Sequence, residues 1–210
     1  MSDSNGNRVR RLGALFYPGF ELLDTFGPLE MFGNMPGAVD IITVAEQAGP
    51  VRSHQGPSVV AEYGFADCPT LDLMLIPGGM GTRAEVENEA MLDWLRRRTP
   101  ETEVTMSVCT GSALLARAGL LDGQRATSNK MFFQWVVEQG PRVEWVRQAR
   151  WVEDGRYATS SGVSAGIDMA LAVIARLAGP ELSETLAMAT EYEWHRDADW
   201  DPFARVHGLV

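Results

Sequence analysis

Short apolar strands alternate with amphipathic helices along most of this chain, and this alternation restricts its fold more than any other feature. The segment 72–76, D-L-M-L-I, is almost continuously apolar, which is typical of a strand buried on both faces of a parallel sheet. The pattern predicts an α/β fold in which a mostly parallel sheet is covered by helices on both faces. Further strands are predicted at 11–17, 39–45, within 50–62, and at 104–108, 125–128, 143–152 and 156–160, and helices at 21–31, 85–98, 110–118, 131–139, 165–177 and 181–189.

The segment 104–112, V-T-M-S-V-C-T-G-S, carries the strongest chemical signal. An apolar strand runs directly into Cys109, and a helix rich in small residues begins at Thr110. This arrangement predicts a nucleophile elbow, the sharp strand-to-helix turn that exposes a reactive side chain above a sheet. A helix N-terminus presents unpaired N–H groups and a positive potential. We therefore expect the thiolate form of Cys109 to be favoured. Cys68 lies in a loop before a strand and is predicted to be structural.

Other candidate site residues follow neighbouring predicted strands. Gly78 and Gly79 end the strand 72–76, and we expect the Gly79 and Thr110 amides to stabilise developing negative charge. Asp24 lies at the start of the first predicted helix and is a candidate acid/base, with Glu21 and Glu30 as local competitors. A Cys–His pair is not favoured, since His195 stands in a late charged segment and is interpreted as a surface or dimer-contact residue.

Composition excludes several classes of partner and cofactor. The net charge of −10 and pI near 4.8 argue against nucleic-acid binding. The three histidines lack ligand spacing, so no metal is predicted, and two cysteines without a disulfide framework favour a reducing cytoplasm. We predict no signal peptide, no membrane span and no membrane partner. One domain is predicted over residues 11–210, after a flexible lead-in over residues 1–10.

The motifs together resemble the ThiJ/PfpI superfamily and, within it, the isocyanide hydratases. The resemblance spans about residues 11 to 195, and Asp24 and Thr110 are its more particular features. It rests on Y-P at 17–18, L-D at 23–24, G-P at 27–28, D-C-P at 67–69, L-D at 71–72, I-P-G-G at 76–79, S-V-C-T-G-S at 107–112 and S-A-G-I-D at 164–168.

The resemblance implies a flavodoxin-like three-layer sandwich, a homodimer and a cofactor-free site that acts on a small-molecule substrate. In isocyanide hydratases a cysteine thiolate attacks the isocyanide carbon and forms a thioimidate, which water converts to an N-substituted formamide. By motif, Cys109 would be the nucleophile and Asp24 would handle protons and direct water. Thr110 would help to position substrate or water, and Val163 would pack against the site.

One segment departs from that pattern. This chain has Ser128-Asn129-Lys130 where isocyanide hydratases tend to have Thr-His-Trp, so Asn129 is expected to border an altered substrate pocket. Lys130 either favours the thiolate or faces the surface. Two alternatives stay open, a glyoxalase-like enzyme acting on 2-oxoaldehydes and a non-enzymatic cysteine redox sensor. A ligand-sensing domain of an AraC-type regulator is disfavoured by the acidic charge.

Overall fold

A mostly parallel sheet of six strands forms the centre of the protein. The computed structural model describes residues 8–35 and 37–210. The strand order is β2-β1-β5-β6-β10-β9, with all neighbours parallel except the antiparallel pair of β9 and β10. The strands are β1 (Arg10–Leu15), β2 (Val39–Val44), β3 (Gly49–Arg52), β4 (Ser58–Ala61), β5 (Leu73–Ile76), β6 (Val104–Ser107), β7 (Arg125–Ala126), β8 (Glu144–Trp145), β9 (Trp151–Asp154) and β10 (Tyr157–Ser160).

The helices form two packed groups, as a sheet covered on both faces requires. α1 packs on α6 and α6 on α7, while α3 packs on α4 and α4 on α5. The helices are α1 (Leu22–Gly33), α2 (Thr82–Glu85), α3 (Glu89–Arg98), α4 (Ser112–Arg117), α5 (Phe133–Gln139), α6 (Ala165–Ala178), α7 (Pro180–Ala189) and α8 (Pro202–Val206). Within the described part of the chain, no helix combines the length and apolarity needed to cross a membrane. The predicted flavodoxin-like α/β class is confirmed.

The strand order creates a crevice between β1 and β5. The chain leaves β1 toward β2 on one side and later returns to β5 on the other, so β1 and β5 border a topological switch point. In open parallel sheets, ligands bind beyond the carboxyl ends of the strands at such a point. All four residues of β5 are fully buried, as the apolar run predicted.

Several predicted boundaries were wrong. The helix predicted at 85–98 is divided because Asn88 caps α3, its side chain accepting hydrogen bonds from the Ala90 and Met91 amides at 3.1 and 3.3 Å. The strand predicted at 143–152 is interrupted, since β8 pairs with β7 and only β9 forms the predicted hairpin with β10. α8 was not predicted. β1 begins at Arg10, inside the predicted lead-in, and residues 1–7 lie outside the described part of the chain.

Candidate active site

Cys109 occupies a sharp turn directly after β6. Its φ of 57° lies in the left-handed region, which non-glycine residues rarely adopt. A single 3₁₀ turn over Cys109–Gly111 joins the strand to α4. Gly111 lets this turn lie against the end of β5, since a Cβ there would be 2.5 Å from the Ile76 carbonyl oxygen. This backbone is that of a nucleophile elbow, and its strain holds the thiol beside the crevice.

Asp24 reaches the same point from the first turn of α1. Its side chain is fully buried, and Oδ2 accepts a 2.8 Å hydrogen bond from the Gly78 amide. Among the described residues Oδ1 has no hydrogen-bond partner of its own, and the neighbouring Cys109 side chain acts to lower the pKa of the carboxyl group. Burial raises the pKa of Asp24 well above its usual range, with the Gly78 amide opposing this effect. The carboxyl can therefore hold or release a proton beside the sulfur.

The surroundings of the Cys109 thiol raise its pKa. Burial is the largest cause that raises its pKa, and the neighbouring charge of Asp24 raises it further. The Thr110 and Val163 amides and the Asn129 side chain act in the opposite direction by donating to the sulfur. The expectation that the thiolate form of Cys109 is favoured was wrong in direction, because desolvation outweighs these donors. Cys109 and Asp24 are thus a coupled pair in which burial disfavours the charged form of each group.

The two glycines after β5 let the site close tightly. A Cβ on Gly78 would lie 2.5 Å from the Thr110 amide nitrogen and 3.0 Å from Asp24 Oδ2. The Gly79 amide, however, donates to Thr110 Oγ1 at 3.1 Å, so it does not present the free oxyanion donor that the sequence suggested. The Thr82 hydroxyl also contacts Thr110 Oγ1, at 3.2 Å. Of the two predicted oxyanion donors, only the Thr110 amide faces the sulfur.

The segment that departs from the resemblance contributes two contacts to the elbow. The Ser128 hydroxyl donates to the Cys109 carbonyl oxygen at 2.8 Å. The Asn129 side-chain oxygen Oδ1 accepts a hydrogen bond from the Phe132 amide at 3.0 Å, which leaves the side-chain NH₂ group for the sulfur. Asn129 and Val163 both border Cys109, and Val163 is itself strained, with φ of 42°. Both predicted pocket residues therefore lie at the thiol.

Lys130 is buried, and its ammonium group contacts neither the Cys109 thiol nor solvent. Its ammonium donates to Thr127 Oγ1, the Ser128 carbonyl oxygen and the Ala149 carbonyl oxygen at 2.7, 3.0 and 2.8 Å. Asp201 Oδ2 lies 3.4 Å away. Burial lowers the pKa of Lys130 from 10.5 to about 8, against the opposing effect of Asp201. The lysine therefore joins the site segment to the C-terminal segment.

The remaining sequence candidates are not brought to the thiol. The His195 ring stacks on Trp200 with centroids 4.9 Å apart, and its amide donates to Asp168. Glu21 contacts Gln55, Glu30 contacts Asn34, and the Cys68 sulfur contacts Arg98.

Sequence reasoning missed two side chains near the site, Tyr17 and Arg83. The Tyr17 hydroxyl donates to the Pro77 and Gly78 carbonyl oxygens, and so fixes the loop after β5. Arg83, in α2, places its guanidinium over the Phe132 and Trp135 rings. The Tyr17-Pro18 motif contributed to the resemblance, but no role was predicted for Tyr17. Arg83 belongs to none of the motifs found in the sequence. A cavity of about 460 Å³ lies beyond Tyr17, bounded by Val51 and Glu85, and does not include Cys109.

Comparison with known proteins gives relatives of more than one kind. The model of the DJ-1/PfpI family matches residues 11–176. The isonitrile hydratase of Pseudomonas putida is 34% identical over 182 residues, which are 87% of this chain and 78% of that protein. The HTH-type transcriptional regulator GbdR of Pseudomonas aeruginosa is 31% identical, and this match covers 83% of this chain but 50% of the regulator. A crystal structure of a ThiJ/PfpI family protein from Pseudomonas syringae has a TM-score of 0.82 and 32% identity, covering 96% of this chain and 83% of that one.

Proposed function

This chain belongs to the DJ-1/PfpI family, and from that membership we propose that it is an enzyme that hydrates small isocyanides (isonitriles) to N-substituted formamides. The observation that carries the proposal is the buried pair of Cys109 and Asp24 at the strained elbow. The likeness to an isonitrile hydratase over most of both chains supports the substrate class.

The coupled pair supplies what the first step needs. The Cys109 sulfur bonds to the isocyanide carbon while the same carbon receives a proton, so that S–H adds across that carbon to give a thioimidate. Asp24 carries this proton, because its carboxyl lies beside the sulfur and its raised pKa permits both protonation states. The Thr110 and Val163 amides and Asn129 stabilise negative charge on sulfur during attack.

Asp24 and Cys109 also carry out hydrolysis of the thioimidate, with Asp24 as the base and the Cys109 sulfur as the leaving group. Asp24 removes a proton from water as the water oxygen bonds to the thioimidate carbon and the nitrogen is protonated. The C–S bond then breaks, the hydroxyl oxygen becomes the formyl oxygen, and its proton returns through Asp24 to the thiol. The net change adds one water to the isocyanide and regenerates the enzyme.

The raised pKa of Cys109 disfavours the redox-sensor alternative. Redox-sensing cysteines combine a low pKa with solvent access, because the thiolate is the form that peroxide oxidises. Cys109 is 5% exposed, and its burial raises its pKa. A glyoxalase-like reaction on 2-oxoaldehydes uses the same thiol and is separated from hydration by the choice of substrate.

The test is turnover of para-nitrophenyl isocyanide by the purified protein, with formamide formation followed by absorbance and mass spectrometry. We expect turnover by the wild type and by Cys68→Ser, a control that keeps the distant thiol position polar. We expect losses of roughly 10⁴-fold or more in Cys109→Ala and of roughly 10²- to 10⁴-fold in Asp24→Asn. Full activity in Cys109→Ala would exclude the mechanism, and wild-type inactivity on isocyanides with turnover of methylglyoxal would favour the glyoxalase-like reaction.

A homodimer and a cytoplasmic location are part of the proposal. Leu23 and Phe26 flank the catalytic turn of α1 and are 43% and 44% exposed, which supports burial against a second copy. A free thiol as nucleophile supports a reducing compartment. Light scattering of the purified protein tests the dimer, for which a monomeric mass would be the contrary result.

A further inference from the structure

The geometry points to an anion-binding subsite at Arg83, which would select isocyanides that carry a carboxylate next to the reacting group. The inference deepens the proposed function and rests on it for the identity of the reacting group. The subsite itself rests on the position and contacts of the Arg83 guanidinium.

Arg83 connects the two segments that contact the Cys109 thiol. On one side, its Nη1 donates to Thr82 Oγ1 at 3.4 Å, and that hydroxyl contacts Thr110 Oγ1 at 3.2 Å. On the other side, its guanidinium carbon lies 4.6 Å from the centroid of the Phe132 ring, and the Phe132 amide is hydrogen-bonded to Asn129. One residue, Thr82, therefore separates the guanidinium from the elbow on the first side, and two residues, Phe132 and Asn129, separate it from Cys109 on the second.

The guanidinium stacks on two aromatic rings and makes little use of its hydrogen-bond donors. It stacks over Trp135, with its carbon 4.1 Å from that ring centroid, as well as over Phe132. Within the described part of the chain, no carboxylate forms an ion pair with Arg83, and its hydrogen bond to Thr82 is a long one. Stacking occupies the flat faces of an arginine and leaves its edge N–H groups for a planar anion.

Charge near Arg83 also favours this interpretation. Partial burial lowers the pKa of Arg83, and only a negative charge on Cys109 or Tyr17 opposes this effect. Burial raises the pKa of both those groups and so disfavours that charge. The protein as a whole carries a net charge of −10 and repels anions, so an anionic substrate needs a local cation. Arg83 supplies such a cation next to the residues that border the nucleophile.

The first test uses Cys109 itself as the reporter and does not depend on hydratase activity. Iodoacetate and iodoacetamide alkylate thiols by the same displacement of iodide, and they differ in that iodoacetate carries a carboxylate. Rates at Cys109 are measured for each reagent by mass spectrometry of its peptide, in the wild type, Arg83→Met and the control Arg176→Met, whose arginine pairs with Glu153 instead. Cys68 is read in the same digests as an internal standard.

We expect the ratio of the iodoacetate rate to the iodoacetamide rate at Cys109 to fall by roughly 10- to 100-fold in Arg83→Met, the range of a charge-assisted hydrogen-bonded pair. The ratio should be unchanged in Arg176→Met, and at Cys68 in every variant. If Arg83→Met lowers the alkylation rates of Cys109 by iodoacetate and by iodoacetamide equally, Arg83 acts on the thiol alone. That result would overturn the subsite. A ratio within twofold of wild type would also overturn it.

The second test compares isocyanoacetate with its uncharged methyl ester as substrates. We expect wild-type kcat/KM to favour isocyanoacetate, and Arg83→Met to lose roughly 10-fold or more of this preference while it still hydrates the ester. If the wild type hydrates the ester as efficiently as isocyanoacetate, the subsite would be overturned and the proposed function would stand. Absence of hydration of either compound would overturn the proposed function, and the alkylation ratio would still decide the subsite.

Discussion

The buried ion pair of Lys130 and Asp201 gives the sharpest prediction about stability. Lys130 is the only lysine in the chain, and both side chains of the pair are almost completely buried. Lys130→Met removes three hydrogen bonds to oxygen acceptors and leaves the Asp201 carboxylate without a cation. Loss of one partner from a buried pair costs about 3–5 kcal/mol, which is a large share of the roughly 5–15 kcal/mol that stabilises a typical domain.

The assay is equilibrium urea unfolding at pH 7 followed by tryptophan fluorescence. Asp201→Asn is the matched partner variant, because Asn retains the oxygen that accepts the Phe203 amide hydrogen bond and caps α8. We expect the double variant to lose about 1–3 kcal/mol less than the two single losses added together. Single losses below about 1 kcal/mol that add independently would refute the view that this pair connects the two segments.

The pH dependence of stability in the wild-type protein tests the burial of Lys130 without any substitution in the Lys130–Asp201 pair. The pKa of Lys130 is about 8 in the folded protein and 10.5 as a free side chain, so between these values the unfolded chain binds more protons. Stability contributed by this group should therefore rise with pH across that window, by on the order of 3 kcal/mol, and be flat below it. Lys130→Met should lack the rise, and an identical profile in both proteins would contradict the assignment.

Three further predictions concern the site. A Cβ on Gly78 would lie 2.5 Å from the Thr110 amide nitrogen, so Gly78→Ala should abolish activity and cost about 1–3 kcal/mol of stability in urea unfolding. The atoms nearest to a Cβ on Gly162 all belong to the Asn129 side chain, with Nδ2 at 2.5 Å. Gly162→Ala should therefore displace the amide that lowers the pKa of Cys109, and slow thiol alkylation at pH 8 while the urea midpoint changes little. Besides burial, the charge of Asp24 raises the pKa of Cys109, so Asp24→Asn should accelerate that alkylation while it slows hydration by roughly 10²- to 10⁴-fold. Slower alkylation would contradict the coupling.

The parts that could be predicted from sequence are those with local signals. The strand that runs into Cys109 and the Gly78-Gly79 pair at the end of β5 both follow from residue periodicity and turn composition over a few positions. The topology then brings the ends of β1, β5 and β6 together, and with them Asp24. The elbow and the α/β class could therefore be predicted from the chain alone.

The parts that could not be predicted depend on contacts between distant segments. The pKa of Cys109 depends on how completely neighbouring elements desolvate it, and the helix N-terminus alone suggested the opposite direction. Arg83 lies in the four-residue helix α2, which is too short to show periodicity, and its stacking on Phe132 depends on a residue about fifty positions away in the sequence. Lys130 was ambiguous for the same reason, since its partner Asp201 comes from the C-terminal segment.

The raised pKa of Cys109 is consistent with hydration of an isocyanide and less suitable for other thiol chemistry. Oxidation by peroxide requires a thiolate that is already present, so a high pKa lowers its rate directly. Attack on an isocyanide instead requires a nucleophilic sulfur and a proton at the same carbon. A thiol that shares its proton with the adjacent Asp24 carboxyl provides both, because the proton released by sulfur is the one that the carbon receives. Burial, which would hinder a redox sensor, therefore keeps the proton in place for this addition.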